Sequence, residues 1–267
     1  LLDELFFKKG FEKHKIDYIL FGFVITIIGI LTSFIIFGVR SSNAQLLVIT
    51  LLLVPAVMRL ISKEENIIRK QGLKHIYSNH KDVFEIMIFI FIGVFIAFFF
   101  TQLVVMAKGV EFRDAYSFQT GLLDNHEYLS YGFDGESGSF GSTMLSLGVK
   151  LLIIVAATFA LSFLYGSGGI FVVVAMATIF STMLVYLIKS TIFLKFSVIY
   201  MVFILLMLIP IILTSIAGGI ISKAFVHEKI RSRSFKEVIR EGVFIFVVSL
   251  ILTAVIAALW SFFLFVA

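Results

Sequence analysis

The chain contains no cysteine, and proline occurs only twice in 267 residues. The first absence removes disulfides, thiolate nucleophiles and cysteine-based metal sites together. The second leaves long helices almost free of their strongest breaker. Charge is also scarce, at 15% of residues. It arrives in clusters, and Tyr18–Gly38, Ile86–Ala107, Leu151–Ile188, Phe196–Ile221 and Val243–Phe265 contain no charged residue and no histidine. About 20 consecutive apolar residues suffice to cross a bilayer as a helix.

What is abundant agrees with these absences. Hydrophobic residues make up 60% of the chain, 32 of them phenylalanine, and the mean hydropathy is +1.08. Soluble domains sit nearer half apolar. The pattern predicts an all-α, polytopic transmembrane helical bundle, a multi-pass protein of the cell membrane. The first apolar run is too long for a removable signal peptide, and no small-residue cleavage site follows it.

Seven spans are expected. They are Tyr18–Gly38, Ala44–Ile61, Ile86–Ala107, Leu147–Tyr165, Ile170–Ile188, Phe196–Ile221 and Val243–Phe265. The fourth and fifth come from dividing the uncharged run Leu151–Ile188 at Gly166-Ser-Gly-Gly169, where glycines permit a tight turn. A re-entrant pair at that turn is the alternative. Arg59 and Lys150 lie near span ends and can snorkel to the interface.

Basic residues orient the chain. An N-terminus inside gathers Lys8, Lys9, Lys13 and Lys15 on the cytoplasmic side. Arg59, Lys63, Arg69, Lys70, Lys74 and Lys81 join them, as do Lys223, Lys229, Arg231, Arg233, Lys236 and Arg240. These are 16 of the 22 basic residues, and seven spans then leave the C-terminus outside. The whole chain, 1–267, reads as one membrane domain. Its non-spanning parts are an interfacial helix over 1–16, a cytoplasmic connector over 62–85, an external acidic loop over 108–146 and a cytoplasmic basic segment over 222–241. Within the external segment, Tyr131–Ser142 is glycine- and serine-rich and reads as loop. Within the basic segment, Ser234-Phe-Lys-Glu237 matches a capping box that would start the last helix.

No catalytic constellation stands out, and the expectation is a non-enzymatic protein with no cofactor and no metal. None of the five histidines falls in a span. Ser167 sits among glycines, but a turn explains the glycines and no histidine or acid is nearby. Asp124, His126, Glu127, Asp134 and Glu136 offer hard-metal oxygen and nitrogen ligands. They lack EF-hand spacing, and a solvated acidic loop accounts for them better.

Polar groups inside the spans include Thr101, Gln102, Thr158, Ser162, Ser181, Thr182, Thr214, Ser215, Ser249 and Thr253. They read mainly as interhelical hydrogen bonds. No ionisable residue lies away from a span end, which disfavours ion-driven transport. Gly166, Gly168, Gly169, Gly218 and Gly219 are the candidates for helix turning and close helix packing. The expected partners are membrane lipids and other membrane or envelope proteins, with a second copy of the chain as a further candidate. Nucleic-acid binding would need aromatic or groove-reading features, which are absent.

Two stretches carry a family resemblance. Val149-Lys-Leu-Leu-Ile-Ile followed by Leu161-Ser-Phe-Leu-Tyr-Gly-Ser-Gly-Gly-Ile-Phe171 resembles the central motif of the stage II sporulation protein M family. Ala217-Gly-Gly-Ile-Ile-Ser222, a basic segment and a last apolar helix resemble the end of that family. Lys13 to Gln102 looks like the two-helix extension with a charged connector of its archaeal members. The chain departs from the pattern twice. Ala175-Met-Ala-Thr178 stands where members often carry Trp-Asn, and Phe203–Met207 is wholly apolar where many carry polar groups. The resemblance implies a non-enzymatic membrane component of an envelope-remodelling complex. The expected role is therefore a scaffold or assembly subunit. A passive permease, channel or lipid-handling protein is the alternative, favoured by a hydrated cavity lined by Thr158, Ser162, Ser181 and Thr182.

Overall fold

The computed structural model describes residues 15–38, 41–71, 76–108, 115–124, 140–166, 168–189, 193–227 and 232–266. Every regular element among them is helical. They are α1 (Lys15–Phe37), α2 (Ser42–Gln71), α3 (Ile76–Ala107), α4 (Ser117–Asp124), α5 (Phe140–Tyr165), α6 (Gly169–Lys189), α7 (Phe193–His227) and α8 (Arg233–Val266). Most of the expected interfacial helix over 1–16 lies outside the described residues. So do Ser167 and most of the acidic loop, including His126, Glu127, Asp134 and Glu136.

Among the described residues, five helices contain stretches long and apolar enough to cross a membrane: Lys15–Phe37, Phe84–Ala107, Gly148–Tyr165, Leu205–Val226 and Phe235–Phe262. Shorter apolar stretches, Ser42–Val57 and Gly169–Val185, lie in α2 and α6. Each expected span lies in a helix, apart from Gly38 at the end of the first, but most helices run past the apolar runs that nucleate them. α2 continues to Gln71 and α3 begins at Ile76, so most of the 62–85 connector is helical. Charged residues do not stop a helix by themselves, because lysine, arginine and glutamate are good helix formers.

The ends have local causes. Gly38 and Gly166 have φ of 74° and 67°, the left-handed conformation that glycine adopts without a Cβ penalty. Gly38 N–H donates to the Phe34 carbonyl at 3.0 Å, closing α1. α2 opens at Ser41, whose carbonyl accepts Gln45 N–H at 2.8 Å.

Two expectations are corrected. α5 begins at Phe140, inside the stretch read as loop. The cap of α8 is Ser232, not Ser234: Phe235 N–H donates to the Ser232 hydroxyl at 3.1 Å, and Lys236 N–H to the Ser232 carbonyl at 3.3 Å. Ser234 already lies inside the first turn.

The chain forms two compact units. One comprises Leu1–Leu122 with Ile170–Ser197, the other Leu123–Gly169 with Val198–Ala267. In the first, α1 packs against both α2 and α3. Gly22 lies against the Ile90 backbone, and Gly93 against that of Ile19 and Phe23. Lys15 and Glu85 pair at 2.8 Å a little below this contact, which makes α1 and α3 parallel. In the second unit, α5 packs on α8. Phe159 stacks on Phe246 with ring centroids 4.2 Å apart, and Phe203 meets Trp260 at 4.0 Å.

The outward face of α8 is unlike that of a water-soluble fold. On α8, Phe244, Val247, Ile251, Val255, Leu259 and Phe262 are exposed at helical spacing, while Ser249, Thr253 and Ser261 are buried. Polar groups inside and large apolar side chains outside is the arrangement hydrocarbon solvent favours.

Candidate functional site

Local sequence dictates how most polar groups in the helices are satisfied. A serine or threonine hydroxyl within a helix can reach the carbonyl one turn back. Thr158 donates to the Ile154 carbonyl at 2.7 Å. Ser181 and Thr182 both donate to the Thr178 carbonyl at 2.9 Å. Ser162 donates across a helix contact to the Ser215 hydroxyl at 3.5 Å. All four expected cavity residues are fully buried. Thr158 and Ser162 belong to the second unit, Ser181 and Thr182 to the first. In each case another group of the protein accepts the hydroxyl hydrogen.

The glycine candidates divide by role. Gly166 turns the chain at the end of α5. Gly168 lies against the Leu161 carbonyl, and Gly169 against the side chains of Ser162 and Ser215. Gly218 lies against Ser162 and the Phe159 carbonyl, drawing α7 onto α5. Gly219 is buried on α7 beside it.

An apolar crevice in the first unit, between Leu53, Val57, Ile90, Val94, Ile170 and Val174, holds about 10 Å³. Small-molecule sites usually need about 300 Å³ or more. No group of three or more His, Asp or Glu residues able to hold a metal occurs among the described residues.

Two charged side chains are buried among the described residues, Lys223 on α7 and Glu241 on α8. Gly242 packs on Ile221 and Ala217, which sets the two at one level of the antiparallel pair. Both engage other groups. They fall in the segment read as a cytoplasmic loop, so span-based reading could not mark them as interior.

The most developed polar constellation is in the first unit, where α1 and α3 end and α2 and α4 begin. Ser41, Ser42, Gln45, Gln102, Tyr116, Gln119, Thr120 and Thr182 are buried there, as is Ser33. Ser42 Oγ lies 3.2 Å from Ser117 Oγ and accepts Phe118 N–H at 3.2 Å, which pins α4 to the start of α2. Gln45 Nε2 donates to Ser41 Oγ at 3.3 Å. Gln102 Nε2 donates to Thr182 Oγ1 at 2.8 Å, joining α3 to α6. Thr101, Gln102, Ser181 and Thr182 were visible as polar groups within spans. Ser33, Gln45 and Gln119 were not. Ser33 and Gln45 lie near span ends, and Gln119 sat in what read as an external loop.

Burial pushes the Tyr116 hydroxyl above its ordinary pKa of 10.0, with a hydrogen bond involving Thr101 acting more weakly in the opposite sense. A raised folded-state value favours the neutral phenol. This contribution to stability is therefore complete below pH 10.0 and is lost as pH rises through the folded value. Melting temperatures followed upward from neutral pH should fall more steeply above pH 10.0 for the native chain than for Tyr116→Phe. Parallel curves would remove Tyr116 as the cause.

No family model, no curated protein and no solved structure matches the chain.

Proposed function

We propose that the chain is a polytopic, non-enzymatic protein of the cell membrane that serves as a scaffold or assembly subunit of a membrane or envelope complex. In this reading it is an archaeal-type relative of the stage II sporulation protein M family. Seven apolar segments cross the bilayer, the N-terminus is cytoplasmic and the C-terminus external. The acidic segment after α3 and the basic ends of α7 and α8 face partners on opposite sides.

One observation carries the proposal. Thr158, Ser162, Ser181 and Thr182 are fully buried; Thr158, Ser181 and Thr182 donate to carbonyls of their own helices, and Ser162 donates to Ser215 on α7. A conducting protein would direct such groups at a hydrated path. Here three donate within their own helices, while Ser162 ties α5 to α7 and Thr182 accepts from Gln102 on α3, which suits a protein that works by presenting rigid surfaces.

The test is purification of the intact chain in mild detergent, with identification of co-purifying proteins and lipids. A stoichiometric membrane partner is expected. A partner-free monomer that carries solute flux in liposomes would replace the scaffold reading with a permease. Orientation is checked separately by thiol labelling, which has no background in a cysteine-free chain. Ser137→Cys should react from outside. Lys236→Cys, at an exposed position, should react only from inside, and the reverse pattern would overturn the topology.

A further inference from the structure

The helix ends of the first unit bury more hydrogen-bonding capacity than the protein itself satisfies. Neither amide atom of Gln119 has a partner, and Gln45 Oε1, Gln102 Oε1 and Ser33 Oγ also have none. All four side chains are at least nine-tenths buried. Buried polar atoms are normally paired, so a group of orphans in one region calls for something that pairs with them.

Helix register brings these residues to one level. Gly29 on α1 meets Ile49 on α2. The two helices are antiparallel neighbours, so one further turn of each sets Ser33 beside Gln45. α1 and α3 run parallel from Lys15 and Glu85 through Gly22 and Ile90. The same offset carries Ser33 to the level of Thr101 and Gln102. Gln119 follows Phe118, whose N–H is held by Ser42 at the start of α2.

The chemistry of the orphans selects the ligand. Four are oxygens and one is a nitrogen. The Gln102 oxygen is an acceptor by necessity. Thr182 gives its only hydroxyl hydrogen to the Thr178 carbonyl, so it can only accept from Gln102, and the nitrogen must face it. Carboxamide and hydroxyl oxygens are hard ligands suited to hard cations. These side chains are all neutral, so a divalent ion would lack the carboxylates that normally hold it. The helix ends do not oppose a cation, because the positive starts of α2 and α4 are matched by the negative ends of α1 and α3.

We propose that the buried oxygens of Ser33, Gln45, Gln102 and Gln119 form a binding site for one monovalent alkali cation within the first unit. The ion ties the end of α1 and α3 to the start of α2 and α4. This goes beyond the assembly role and stands or falls without it, since a scaffold and a permease could each hold a structural cation.

The experiment is thermal unfolding of the intact chain in detergent, in sodium chloride, potassium chloride or choline chloride at equal ionic strength. The melting temperature should rise with sodium or potassium concentration, by about 5 °C well above the dissociation constant, and not with choline. The more effective ion identifies the cation. Gln102→Leu and Gln119→Leu should both lose that rise; Gln119→Leu should melt in choline at or above the native value, because neither atom of its amide has a partner, whereas Gln102→Leu also gives up its bond to Thr182. Binding of radiosodium or radiorubidium to the native chain checks the site without relying on either variant. Identical melting of the native chain in all three salts, with no saturable radioion binding, overturns the site and leaves hydration as the partner of these oxygens. A cation-dependent rise that persists undiminished in both variants overturns it as well.

Discussion

Gly93→Val should separate α1 from α3 and cost about 3 kcal/mol. Gly22 and Gly93 each lie against the backbone of the other's helix. A Cβ on Gly93 would overlap the Ile19 carbonyl and lie 2.8 Å from the Phe23 nitrogen. A Cβ on Gly22 would lie 2.5 Å from the Ile90 carbonyl oxygen. The obstacles are backbone atoms on both sides, so no rotamer change relieves them. The helices would have to move apart, and α1 is also the helix against which α2 packs. Between apolar helices in lipid there is little hydrophobic gain to offset this, because the lipid is as apolar as the side chains. Thermal unfolding in detergent measures the loss. Gly121→Ala is the control, since a Cβ there meets nothing within 4 Å. It should be neutral or stabilising by up to about 1 kcal/mol through helix propensity. Equal melting of the two variants would mean that α1 and α3 do not pair as described.

Gly218→Val should do comparable damage in the second unit, also costing about 3 kcal/mol. A Cβ at this position would sit 2.5 Å from Ser162 Cβ, 2.9 Å from the Phe159 oxygen and 3.1 Å from the Phe163 nitrogen. Moving α7 away would also break the Ser162–Ser215 bond, which at 3.5 Å has no slack. Gly148→Ala is the matched control within the same unit, because its new Cβ would lie 3.9 Å from Ala257 Cβ, an ordinary contact. A Gly218→Val protein that melts with the Gly148→Ala protein would dissolve the α5–α7 contact. Because the two glycines belong to different units, combining Gly93→Val with Gly218→Val also measures whether the units unfold together. Independent units give two transitions, and a cooperative chain gives one.

Sequence was most informative where a single local property suffices. Charge-free runs located every long apolar helix, since length and hydropathy need no knowledge of neighbours. Glycine at 166 was legible as a turn for the same reason: the left-handed backbone depends on one residue. Helix ends were less legible. Ser234 has the better capping-box pattern, yet Ser232 has the geometry, because a cap is decided by where the backbone leaves the helix. The glycine pair of the first unit, Gly22 and Gly93, escaped notice. Each is an isolated glycine in an apolar run, and only the register of α1 on α3 makes them face one another. Gly168, Gly169 and Gly218 were visible because they cluster in the chain.

The amino-acid order alone determined that this is a helical chain, with apolar segments of bilayer length, charge gathered in clusters between them and no thiol chemistry. Those properties are sums over short windows. Tertiary structure alone decided which side of each helix is interior. It turned Ser249, Thr253 and Ser261 inward and left Phe244, Ile251 and Phe262 outward on α8. It also gathered Ser33, Gln45, Gln102 and Gln119, residues spread over four helices, at one level of the first unit. Register between helices depends on backbone approach at a few glycines, and no window along the chain contains both sides of such a contact.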